Sequence, residues 1–143
     1  MPATFDKMGI AFQYPENWTL DEKDAVTGRR AVTVYSPGGG FWTVAQHSHS
    51  ADPDELVRAA VSAIQQEYEQ VETEEIRETV ADRELIGCNL NFFYLDLTNT
   101  ACVRVLPGQR AAYSIFYQAE DREFTAIHRV FEAMTVSLLR GIE

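Results

Sequence analysis

His47 and His49 are the two residues of this chain whose types and spacing come nearest to chemistry. On an extended backbone, alternate side chains share a face. Two imidazoles so placed could hold one metal ion, provided a third ligand arrives from elsewhere. The only other histidine is His128, far along the chain. A lone H-x-H lacks the further ligands of a closed site, so the pair reads as solvated residues at a strand end and no metal is assigned. Metal binding through the pair stays open as a separate hypothesis.

Other patterns fail on physical grounds. Glu72, Glu74, Glu75 and Glu78 crowd one segment, but acid–base catalysis needs carboxylates in unlike, partly dry surroundings, and this run is wet throughout. Gly38-Gly39-Gly40 is followed by neither Lys-Ser nor Lys-Thr, and a strand follows it instead of a helix. The amide cradle for a phosphate is therefore missing, and the glycines read as a supple hairpin. No serine stands in G-x-S-x-G, and Cys88 and Cys102 lie inside apolar runs, as small buried hydrophobes do. No catalytic residue and no cofactor is assigned.

Binding leaves a different signature. Phe41 and Trp42 follow the glycines directly and could anchor a partner, because aromatic side chains dominate interface hot spots. Alternation points them to opposite faces, so one at least belongs to the core. Glu72, Glu74 and Glu75 add an acidic rim. These five residues form the candidate partner-binding set.

The elements that would position them read as follows. Residues 10–14 alternate as a half-buried strand, and residues 18–21 restart an extended segment. Residues 23–30 form a polar loop. Residues 31–35 and 41–48 are strands joined through the glycine turn. Asp52, Pro53 and Glu55 make the capping-box arrangement at the start of a helix over about 52–70. Val57, Val61, Ile64 and Tyr68 form its apolar stripe, opposite Arg58, Gln65 and Glu69. Residues 71–79 are a charge-guarded edge strand. Residues 84–97 read as one long strand, apolar on both faces and hence central, followed by a turn at 98–100. Residues 101–106 and 111–119 flank a hairpin loop at 107–110. The second helix, about 121–139, is capped by Asp121, buries Phe124, Ile127, Phe131 and Met134, and ends at Gly141. No βαβ rhythm is present, and tight hairpins imply antiparallel pairing.

The 143 residues suit a single domain, 1–143, and 45% hydrophobic content excludes disorder. A net charge of −10 repels nucleic acid and anionic membrane. No leader or membrane span is evident, so the expected compartment is the cytoplasm.

The segment Gly9-Ile10-Ala11-Phe12-Gln13-Tyr14-Pro15-Glu16-Asn17-Trp18 resembles the G-apolar-x-F-x-Y-P-x-x-W opening of the PsbP-like superfamily. That superfamily includes the photosystem II extrinsic protein, Mog-type Ran-binding proteins and bacterial DcrB-like proteins. Leu85-Ile86-Gly87 is similar to the family's glycine before a long strand. Val103-Arg104-Val105 and residues 113–119 resemble its closing hairpin. Phe124, residues 131–134 and Ser137-Leu138 resemble its terminal helix. The resemblance implies an α+β fold, an α-β-α sandwich with a central antiparallel sheet of six or seven strands and two main helices. It also implies a docking, adaptor or chaperone module, monomeric or homodimeric, that binds another protein and is no enzyme. The alternative is a small apolar-ligand domain or enzyme, with a pocket lined by Phe92, Tyr94, Tyr113 and Tyr117.

Overall fold

The computed structural model describes residues 2–23 and 30–142. In chain order the strands are β1 (Pro2–Lys7), β2 (Ile10–Pro15), β3 (Thr19–Asp21), β4 (Ala31–Tyr35) and β5 (Phe41–Ser48). Helix α1 (Pro53–Glu67) follows, then β6 (Glu72–Val80), β7 (Arg83–Tyr94), β8 (Leu97–Leu106), β9 (Ala111–Glu120) and α2 (Asp121–Arg140). Seven strands form one antiparallel sheet in the order β3-β4-β5-β9-β8-β7-β6, and β1 and β2 form a separate two-stranded ribbon.

The fold is α+β, with one helix on each side of the sheet. On one face Val32, Val34, Trp42, Val44, Leu85, Ile115 and Tyr117 meet Phe131, Met134 and Leu138 of α2. The ribbon completes that layer with Phe5, Ile10, Phe12 and Trp18. On the other face Cys88, Leu90, Phe92, Val103 and Val105 pack under α1, which supplies Ile64, Val57, Val61 and Tyr68. Burial of these side chains is the main stabilising force.

Several expectations need correction. Residues 84–97 are not one strand: Leu95 and Asp96, at φ 51 and 63, reverse the chain between β7 and β8. Paired left-handed residues match the twist of a two-residue hairpin, so the turn lies at 95–96 and residues 98–100 belong to β8. Nor is β7 central; it lies one strand from the β6 edge. Its inner part is covered, with Leu90 and Phe92 buried, but Phe93, Tyr94, Leu95 and Leu97 are exposed.

The cap of α1 is simpler than a capping box. Asp52 accepts the Asp54 N–H at 3.0 Å, while Glu55 turns to Arg58. Glu120, not Asp121, caps α2; Asp121 is its first helical residue and accepts the Thr100 hydroxyl at 2.7 Å. Gly141 does cap the end of α2, but at φ −86, so no left-handed turn is needed there. Strand β1 escaped the sequence reading, and most of the loop expected at 23–30 lies outside the described residues.

Candidate functional site

The β7–β8 turn carries an apolar cluster that no element of the described fold covers. Leu95 is 77% exposed and Phe93 61%, with Tyr94 and Leu97 beside them. Most of the exposed large hydrophobic side chains of the described residues fall in this one stretch. Scattered surface apolar residues need no explanation, whereas a contiguous patch marks a contact surface. Tyr94 is held edge-on by Tyr68, at 5.5 Å between ring centroids, and Tyr68 stacks on buried Phe92 at 4.2 Å. The Tyr94 ring is thus anchored to the α1 core, while Phe93 projects from the opposite face of β7.

A cleft of about 300 Å³ runs from this tip to the glycine turn. Phe41, Tyr68, Tyr94, Leu95 and Leu97 form its apolar wall, and Glu120 and Glu123 its acidic one; no Lys or Arg lines it. Asp96 lies within the turn itself, and Glu72 sits opposite Asn91 near the tip. The surface is apolar with an acidic border.

The glycines have a packing role that their sequence did not reveal. Glu123 accepts the Gly40 N–H at 2.6 Å and the Ser36 hydroxyl at 2.9 Å. A Cβ on Gly38 would lie 1.5 Å from Glu123 Oε2, and one on Gly40 would lie 2.4 Å from Oε1. The bare backbone lets the carboxylate close over the turn, which ties the cleft wall to α2.

Of the candidate binding residues, Phe41 lies on the cleft, half-exposed, between Tyr35 at 6.0 Å and Phe116 at 5.7 Å. Trp42 is 0% exposed, and its indole N–H donates to Thr135 at 3.1 Å. It is core and cannot touch a partner. Glu72, Glu74 and Glu75 are exposed on the edge strand β6, and Glu74 accepts a hydrogen bond from Asn89. The side chains of Phe93, Tyr94, Leu95 and Leu97 were missed as surface residues. The signal available was an apolar run too long for one strand, with an aspartate inside it.

The four aromatics of the ligand-pocket alternative do not converge. Phe92 and Tyr94 lie on the α1 side of the sheet, while Tyr113 and Tyr117 are buried on the α2 side. Burial pushes the Tyr117 phenol well above its usual range, which suits a core residue. Cys88 and Cys102 sit on opposite faces, and burial raises both thiols. His47 shares a 2.8 Å hydrogen bond with Ser114, and His49 lies beyond the end of β5. His128 stacks on Phe124 at 6.1 Å instead of approaching them. Among the described residues no three His, Cys, Asp or Glu side chains could share a metal, and no helix is long and apolar enough to cross a membrane.

No family model and no curated protein matches the chain. Solved structures do. A protein from Bacteroides thetaiotaomicron superposes with TM-score 0.65 at 12% identity over 94% of this chain, which spans 46% of that protein's length. The cyanobacterial PsbP (CyanoP) from Synechocystis gives 0.60 at 11% identity, covering 96% of this chain and 89% of that one. The Saccharomyces cerevisiae Ran-binding protein Mog1p gives 0.53 at 12% identity, covering 99% and 92%. The fold of this chain is thus similar to that of the PsbP and Mog1p structures.

Proposed function

We propose that this chain is a non-enzymatic protein-docking module that holds its partner at the β7–β8 tip and the cleft beside it. The observation that carries this reading is Leu95, a bulky apolar side chain exposed at φ 51. A left-handed conformation costs an ordinary residue about 1 kcal/mol, and Asn or Gly would fill the turn more cheaply. Exposure of the leucine to water adds nothing to stability. The exposure is offset if a partner covers the side chain on binding, and local backbone strain of this kind gathers at functional positions.

The partner that fits is a protein segment with apolar anchors flanked by Lys or Arg, because the tip is apolar and its border carries Asp96, Glu120 and Glu123. That one structural neighbour is a Ran-binding protein supports protein binding as the activity of this fold. Phe41 would contribute from the cleft wall and Glu72 from the near end of β6. The pocket alternative has no comparable support.

The test is affinity capture from the native lysate with the natural protein and with a Leu95→Asp, Leu97→Asp double variant of equal thermal stability. A stoichiometric protein retained by the first and lost by the second is the expected outcome. Identical retention by both would remove the tip from the binding site.

A further inference from the structure

The end of the sheet opposite the tip holds a different kind of site. A cleft of about 740 Å³ opens between the end of β5, the β8–β9 loop and the end of α2. Arg30, His47, His49 and Arg110 line it, together with Gln46 and Tyr113. The whole chain has 12 Lys and Arg and three His against 22 Asp and Glu. Two guanidinium and two imidazole side chains face this one cleft, and among the described residues no Asp or Glu lines it. In a chain of net charge −10, this is a local reversal of sign.

Its wall is ordered by a hydrogen-bonded chain. Arg30 Nη1 donates to Gln46 Oε1 at 2.8 Å, which fixes the amide. Gln46 Nε2 then donates to the Tyr113 hydroxyl at 3.1 Å, and that hydroxyl donates to the Gly9 carbonyl at 3.1 Å. Gly9 sits at φ 78, with the Gln46 amide nitrogen 3.0 Å from where a Cβ would stand, so only glycine lets the β1–β2 turn close down on this wall. His47 is fixed in its turn by Ser114 on β9.

We propose that this cleft binds a small oxyanion carrying two or more negative charges, of the phosphate or polycarboxylate class. Guanidinium groups recognise both through charge-assisted hydrogen bonds, and neutral imidazoles can add N–H donors. The volume suits a metabolite-sized ligand. The surrounding negative field sets an upper limit on size. Beyond about one Debye length, roughly 8 Å at physiological salt, an extended polyanion would meet more repulsion than attraction, so nucleic acid is excluded. This site is independent of the tip and does not rest on the docking reading.

The test is amide-resolved NMR titration with sodium phosphate and, separately, sodium citrate, at pH 7 and ionic strength held constant with sodium chloride. The expected result is saturable shifts confined to the cleft lining, at residues 9, 30, 46–49, 110–113 and 141–142. An Arg30→Gln, His49→Gln variant should bind at least tenfold more weakly, and His49→Gln alone, at an exposed position, should show a smaller loss in a fully folded protein. Tighter binding of phosphate assigns a phosphoryl ligand, and tighter binding of citrate assigns a carboxylate. Shifts that fail to saturate for either anion, shifts centred elsewhere, or unaltered affinity in both variants would overturn the proposal.

Discussion

Arg104 reaches across β7 to Glu78, its Nε donating to the carboxylate at 2.6 Å, and it does so over Gly87, its register partner. Nη1 donates to the Val103 carbonyl at 2.9 Å and the Cys88 carbonyl at 3.5 Å, and Nη2 donates to Asn89 Oδ1 at 2.8 Å. Each nitrogen of this buried cation therefore has an acceptor, as buried charge requires.

Gly87 leaves no space for a methyl group. Its Cβ would stand 1.9 Å from the Val103 carbonyl oxygen and 3.1 Å from Arg104 Cδ. Gly87→Ala should destabilise the fold by about 2–3 kcal/mol through overpacking. Urea unfolding checks this, and an unchanged midpoint would show that β7 and β8 can separate freely.

Glu78→Ala should cost about 1–3 kcal/mol, because it leaves the Arg104 charge with neutral acceptors only. The Glu78 side chain is 40% exposed and that of Arg104 only 6%, so water can replace part of the lost partner and the effect stays below that of a fully buried pair. Arg104→Ala should be the more damaging of the two, since it also empties core volume. Equilibrium denaturation of both variants gives the order, and the reverse order would contradict it.

Leu95→Asn should raise stability by about 0.5–1 kcal/mol, because asparagine adopts the left-handed conformation at lower cost than leucine. The same change should weaken partner capture. A thermal midpoint that falls, or capture that is unaffected, would argue that the leucine is neither strained nor used.

Burial lowers the affinity of His47 for a proton relative to its ordinary value of 6.5. The unfolded chain then binds a proton that the folded chain resists. The sign follows: the contribution of His47 to stability is unimpaired above pH 6.5 and becomes unfavourable as pH falls below it. His47→Gln should flatten part of the stability decline between about pH 7 and pH 5. Parallel pH profiles for variant and natural protein would exclude a role for this residue.

Strands β4 and β5 were legible in the sequence to the residue, because β-branched runs end at turn formers on either side. The stripe of α1 was equally plain. The β7–β8 turn was hidden for a physical reason. Leu95 and Asp96 adopt a glycine-like conformation without being glycine or asparagine, so the apolar run seemed unbroken. Exposed leucine and phenylalanine also mimic core residues until a neighbour is seen to be missing. Phe41 could be placed at a surface and Trp42 could not be separated from it, since alternation fixes opposite faces without saying which is covered. The clamp of Glu123 on Gly40 joins residues 83 positions apart, beyond the reach of any local pattern.

The ribbon has a consequence for how the protein is made. The Gln13 amide donates to the Ser137 hydroxyl at 2.9 Å, and Ile10, Phe12 and Trp18 share one cluster with Phe131 and Leu138. A nascent chain therefore carries its first apolar strands without their lid until α2 has left the ribosome. Contacts of such wide separation delay folding, because a large loop must close before they form. The early strands can pair with their neighbours as local hairpins, but the face that α2 covers stays bare, or is shielded by another molecule, until α2 is made.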